Sequence, residues 1–100
     1  MKNKPHPNSW QLLVLLLKDV ADQKGITQEA IATAVGCHRQ AIVRLFAARY
    51  KPNLQFFLDV ANAVGVNFFF EDTDGTSDLN QAFEKAMEQM GRRPDKLPNN

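Results

Sequence analysis

One hundred residues, 44% of them hydrophobic, are enough for a single domain with one modest core and no need of cross-links. The single cysteine, Cys37, excludes an internal disulfide and argues for a reducing cytosol over a secreted, cystine-stapled scaffold. The net charge of +1 hides a separation: Ala30 to Leu58 carries Arg39, Arg44, Arg49 and Lys51 with no acid, whereas Asp59 to Glu88 carries seven acids against Lys85 alone, so one positive, phosphate-binding face is expected.

Residues 1–8 (MKNKPHPN) hold two prolines and no apolar periodicity, and read as a flexible basic arm. A first helix is expected from about Trp10 to Lys24, capped by Asn8 or Ser9, with Trp10, Leu13, Leu17, Val20 and Ala21 as its inward stripe. Leu12, Leu15 and Leu16 fall off that stripe and should meet another surface, either the C-terminal segment or a second subunit. The run LLVLLL at 12–17 is too short for a leader's hydrophobic region or a membrane span, and Lys18-Asp19 follows where a cleavage site would stand. The chain therefore reads as cytoplasmic, with no membrane partner.

A second helix should begin after Thr27, whose hydroxyl can cap it, and turn Ile31, Ala32 and Val35 inward. Gly36 ends it by permitting a sharp turn where a side chain would clash. A third helix, about Arg39 to Ala47, packs through Ile42, Leu45 and Phe46 and leaves Arg39, Gln40, Val43 and Arg44 outward. Two short helices pinned around a glycine form the layout of a helix-turn-helix, whose protruding second helix can enter a major groove.

Arg49-Tyr50-Lys51-Pro52 is a loop, and Asn53 caps a fourth helix, Leu54 to Val64, with Leu54, Phe57, Leu58, Ala61 and Val64 as its stripe and Gly65 as its stop. Val66-Asn67-Phe68-Phe69-Phe70 then reads as one strand, extending to Glu71. A lone strand needs a partner, so Phe68, Phe69 and Phe70 are expected at a dimer interface. The last periodic piece, Asp78 to Met90, lies between Ser77 and Gly91, and 92–100 should fray. The organisation is thus a basic arm (1–8), a DNA-binding domain (9–66), a strand-and-helix extension (67–91) and a tail (92–100).

Gly25-Ile26-Thr27-Gln28-Glu29, Ala32 and Gly36 in the turn, Ile42, and Pro52-Asn53-Leu54 ahead of Ala61 and Gly65 resemble the Cro and phage-repressor type of helix-turn-helix, also called the xenobiotic-response-element family. The resemblance covers about Leu17 to Val66 and implies a mainly α, lambda-repressor-like bundle, here followed by the strand and short helix. It also implies that Arg39, Gln40, Val43 and Arg44 face base edges. Gln28 and the loop residues Arg49 and Lys51 would touch phosphates, with Thr27 and His38 at the helix starts beside them. Phe46 departs from the family's usual glutamate, Ala48 from its loop glycine, His38 from a Ser or Thr cap and Ala21 from an arginine. Alanine adopts a left-handed conformation poorly, so the loop's shape is not carried over; His38 can still accept a capping hydrogen bond.

Elementary chemistry supports these roles independently. Arginine presents two parallel donors to guanine, glutamine a donor and an acceptor to adenine, and valine can touch a thymine methyl. The expected function is sequence-specific regulation of transcription by a homodimer on an inverted repeat of double-stranded DNA. A second class is an antitoxin that holds a protein toxin and represses its own promoter, a reading that rests on the aromatic strand and acidic extension. Catalysis is not expected, because Asp and Glu occur without a paired His or nucleophile at usable spacing, His6 lies in the arm, and no phosphate-cradling glycine loop is present. No metal or other cofactor is expected either, since His38 beside Cys37 lacks a four-ligand set.

Overall fold

A computed structural model of the chain describes residues 9–68 and 71–91. It contains α1 (Ser9–Gln23), α2 (Gln28–Val35), α3 (Arg39–Phe46), α4 (Leu54–Val64) and α5 (Leu79–Gln89). The described residues fall into two compact units, 9–68 with the first four helices and 71–91 with the fifth. The expected arm and tail lie outside them.

In the first unit α1 and α2 both pack against α3 and α4 around one core. Val14, Leu17 and Ala21 enter it from α1, Ile31 and Ala32 from α2, and Ile42, Leu45 and Phe46 from α3. Phe57, Val60, Ala61 and Val64 close it from α4, and among the described residues no polar or charged side chain is buried with them. Burial of this apolar surface supplies the main stabilising term.

The ends of the helices are set by local chemistry. Thr27 Oγ1 accepts from the Ala30 amide at 3.0 Å, and Asn53 Oδ1 accepts from the Phe56 amide at 3.1 Å, so α2 and α4 start where capping residues stand. At the other end Gly36 (φ 88°) and Gly65 (φ 91°) take the left-handed conformation that L side chains resist. The residue after each then folds back: Cys37 N donates to Ala32 O at 3.0 Å, and Val66 N to Ala61 O at 2.9 Å. Both side chains pack on the core's edge, which gives Cys37 a structural place as a small apolar plug. Lys24 adds a tie across the unit. Its Nζ donates to Val64 O at 2.8 Å, placing a cation on the negative end of α4.

Several expectations are corrected. On α1 the third core residue is Val14, while Leu13 is exposed; on α4 Val60 is fully buried, while Leu54 and Leu58 are exposed. Both helices are rotated by part of a turn from the expected stripes. They are apolar on more than one side, so periodicity alone leaves their orientation open, and their packing against each other, with α3 on α1 and α2 on α4, decides it. Helix α3 ends one residue early, at Phe46. His38 stands at its N-cap but makes no side-chain capping bond, an imidazole being bulkier than the hydroxyl or short amide of an efficient cap.

No strand occurs among the described residues: Val66, Asn67 and Phe68 have no regular secondary structure. Phe69 and Phe70 lie outside the described residues, as does the part of the antitoxin reading that rested on them. Phe68 leans on Phe57 of its own unit, ring centroids 5.4 Å apart and 39° between planes. In the second unit Asp78 caps α5, its Oδ1 accepting from the Gln81 amide at 3.1 Å. No residue of α5 is buried.

Candidate nucleic-acid interface

Helices α2 and α3 are joined by Gly36, Cys37 and His38 alone. With Ile42, Leu45 and Phe46 in the core, the opposite side of α3 is turned to solvent: Arg39, Gln40 and Arg44 are exposed and Val43 half-buried. The side chains expected to read bases therefore share one outward face.

The segment after α3 completes that face. Gln40, Val43 and Arg44 line a shallow depression of about 350 Å³ together with Ala47, Arg49 and Tyr50. Arg44 and Tyr50 also line a neighbouring groove of about 210 Å³, beside Lys51, Pro52 and Phe56. The structure thus brings three of the four base-facing candidates together with Arg49, and sets Lys51 next to them. Arg39, in the first turn of α3, lines neither depression.

The loop from Ala47 to Asn53 owes its shape to two features. Ala48 takes a left-handed φ of 57°, the conformation that the family glycine would supply, with its methyl buried. Gln11 Nε2 of α1 donates to Ala48 O at 2.8 Å and holds that turn against the core. Neither feature was legible in the sequence. Tyr50, 74% exposed between Arg49 and Lys51, is a further member of the face, and its signal was an aromatic flanked by two cations.

Electrostatics follow from a span, Ala30 to Leu58, that carries no acid. Among the described residues Arg39, Arg44, Arg49 and Lys51 form no ion pair, so their charge is available to phosphate. Of the remaining phosphate candidates, Gln28 opens α2 half-buried, Thr27 uses its oxygen as a cap while keeping a donor hydrogen, and His38 is exposed. Among the described residues no three His, Cys, Asp or Glu side chains gather as a metal site. No described helix is long and apolar enough to cross a membrane.

A helix with a buried apolar back and an exposed face whose cations form no ion pair among the described residues is suited to binding DNA, and the helix-turn-helix family model matches this chain over residues 17–70. The chain belongs to that family, in its xenobiotic-response-element branch of DNA-binding proteins. Over 64 residues it is 36% identical to an uncharacterized HTH-type transcriptional regulator of Methanothermobacter thermautotrophicus, an alignment spanning 60% of this chain and 93% of that relative. No solved structure matches the chain.

Proposed function

We propose that the protein is a transcriptional regulator that binds a specific operator as a homodimer, each copy placing α3 in the major groove of one half of an inverted repeat. The observation that carries this reading is the outward face of α3: Gln40, Val43 and Arg44 side by side with Arg49, the cations unpaired among the described residues. Arg39 and Arg44 offer the two-pronged donor that fits guanine, Gln40 the pair that fits adenine, and Val43 a surface for a thymine methyl. Arg49, Lys51 and the helix starts at Thr27, Gln28 and His38 hold the phosphates on either side, which fixes register without reading sequence. The transcriptional role is the one named for the relative from Methanothermobacter, and the DNA-binding chemistry is its prerequisite.

Selection from a pool of random duplexes tests this. The expected outcome is enrichment of an inverted repeat whose half-site centres lie about 34 Å apart, one turn of DNA, because a two-fold dimer reads two grooves on one side of the duplex. Recovery of no preferred sequence after several rounds contradicts a sequence-specific regulator.

A further inference from the structure

One surface of the four-helix unit is apolar without being buried. Leu12 (63% exposed), Leu13 and Leu16 lie along one flank of α1, three and four residues apart and so adjacent on a helix surface. Leu54 (70% exposed) and Leu58 form a matching pair on α4. One leucine of each set, Leu13 and Leu54, lines a shared groove of about 240 Å³, together with Trp10, Lys51, Pro52 and Phe57.

We propose that this leucine surface is where a second copy of the chain docks, face to face about a two-fold axis. The inference rests on the homodimer reading above and names its interface.

Two observations select a second copy as the occupant. The first is area: the five exposed leucines present on the order of 500 Å² of apolar surface, so two such faces pressed together bury about 1,000 Å², the lower bound for a specific interface. A groove flanked by projecting leucines also supplies both halves of a self-complementary surface. The second is position. Lys51 and Pro52 line this groove and the DNA-side groove alike, so the leucine surface begins where the DNA face ends. Helix α3 contributes nothing to the leucine groove, so its reading face stays open in the dimer.

Sedimentation of the full chain at micromolar concentration tests the proposal with three variants: Leu16→Glu, Leu54→Glu and, on α5, Phe83→Glu. All three positions are exposed, so each variant keeps its fold, checked by circular dichroism. The wild type and Phe83→Glu are expected to dimerise alike, whereas Leu16→Glu and Leu54→Glu raise the dimer dissociation constant about 100-fold by burying a charge in the interface. The two leucine variants should still bind a duplex carrying one half-site but lose cooperative binding to the inverted repeat. Wild-type-like dimers in both leucine variants overturn the proposal and leave the homodimer reading intact. Loss of the dimer in Phe83→Glu overturns it by moving the interface to α5. A wild type that is monomeric both free and on the inverted repeat removes the homodimer reading itself.

Discussion

Ala48 shows how a single position can trade backbone strain against burial. A left-handed alanine is disfavoured by roughly 1–2 kcal/mol, yet replacing it with glycine would add about 0.5–1 kcal/mol of unfolded-chain entropy and remove a buried methyl worth about 0.8 kcal/mol. These terms nearly cancel. Ala48→Gly is therefore expected to change stability by less than about 1 kcal/mol, while Gln11→Ala, which strips Ala48 O of its donor, destabilises by about 1 kcal/mol and lowers Tm by about 4–8 °C. Thermal melts of the two variants check this, and a Gln11→Ala protein that melts with the wild type contradicts the role given to that hydrogen bond. Sequence reading stopped short at such residues for a physical reason. Thr27, Asn53, Gly36 and Gly65 act on amides a few positions away, so their roles are written locally. The Gln11 hydrogen bond joins residues 37 positions apart, and no local pattern encodes it.

At the scale of the element, legibility tracked how one-sided each helix is. Helix α3 has a single apolar side, so the pattern alone puts Ile42, Leu45 and Phe46 inward and Arg39, Gln40, Val43 and Arg44 outward; the structure has them so, with Val43 half-buried. Helices α1 and α4 carry leucines around more of their circumference, and there Val14 and Val60 displaced Leu13, Leu54 and Leu58 from the core. The same excess of leucine makes the surface proposed for the second copy. The segment leading into α5 has a different determinant. Asp72 accepts hydrogen bonds from Ser77 Oγ at 2.5 Å and from the Ser77 amide at 2.8 Å, and these, the hydroxyl first, lower its pKa from 3.8 to about 2. A depressed carboxyl favours the ordered turn above its unfolded pKa and loses that contribution as pH falls through the folded value. The turn at 72–77 should therefore be intact at pH 5 and loosen between about pH 4 and 2. Carbon-detected NMR titration of Asp72, with the Ser77 amide as reporter, checks it; a midpoint at 3.8 contradicts the expected anchoring.

At the scale of the molecule, charge and topology agree. The span with four cations and no acid became the α3 face and its loop, and the nearly neutral total says only that acids lie elsewhere in the chain. Binding to phosphates and binding to base edges are different in kind. The first is salt-dependent and indifferent to sequence, and the second discriminates. On the function proposed above, Arg39, in the first turn of α3, is assigned to the second kind and Lys51, in the loop, to the first.

Affinity measured against salt concentration, on the operator and on a scrambled duplex, separates the two roles in one experiment. Arg39→Ala should weaken operator binding by about 1–3 kcal/mol and flatten discrimination at one base position per half-site, with little effect on the scrambled duplex. Lys51→Ala should weaken both duplexes alike and reduce the salt slope by roughly one unit for each phosphate that the protein no longer neutralises, hence nearer two for a dimer. Equal, sequence-independent weakening by both variants would reduce Arg39 to a phosphate-binding role, and unchanged affinity in both would contradict α3 and its loop as the DNA-binding surface.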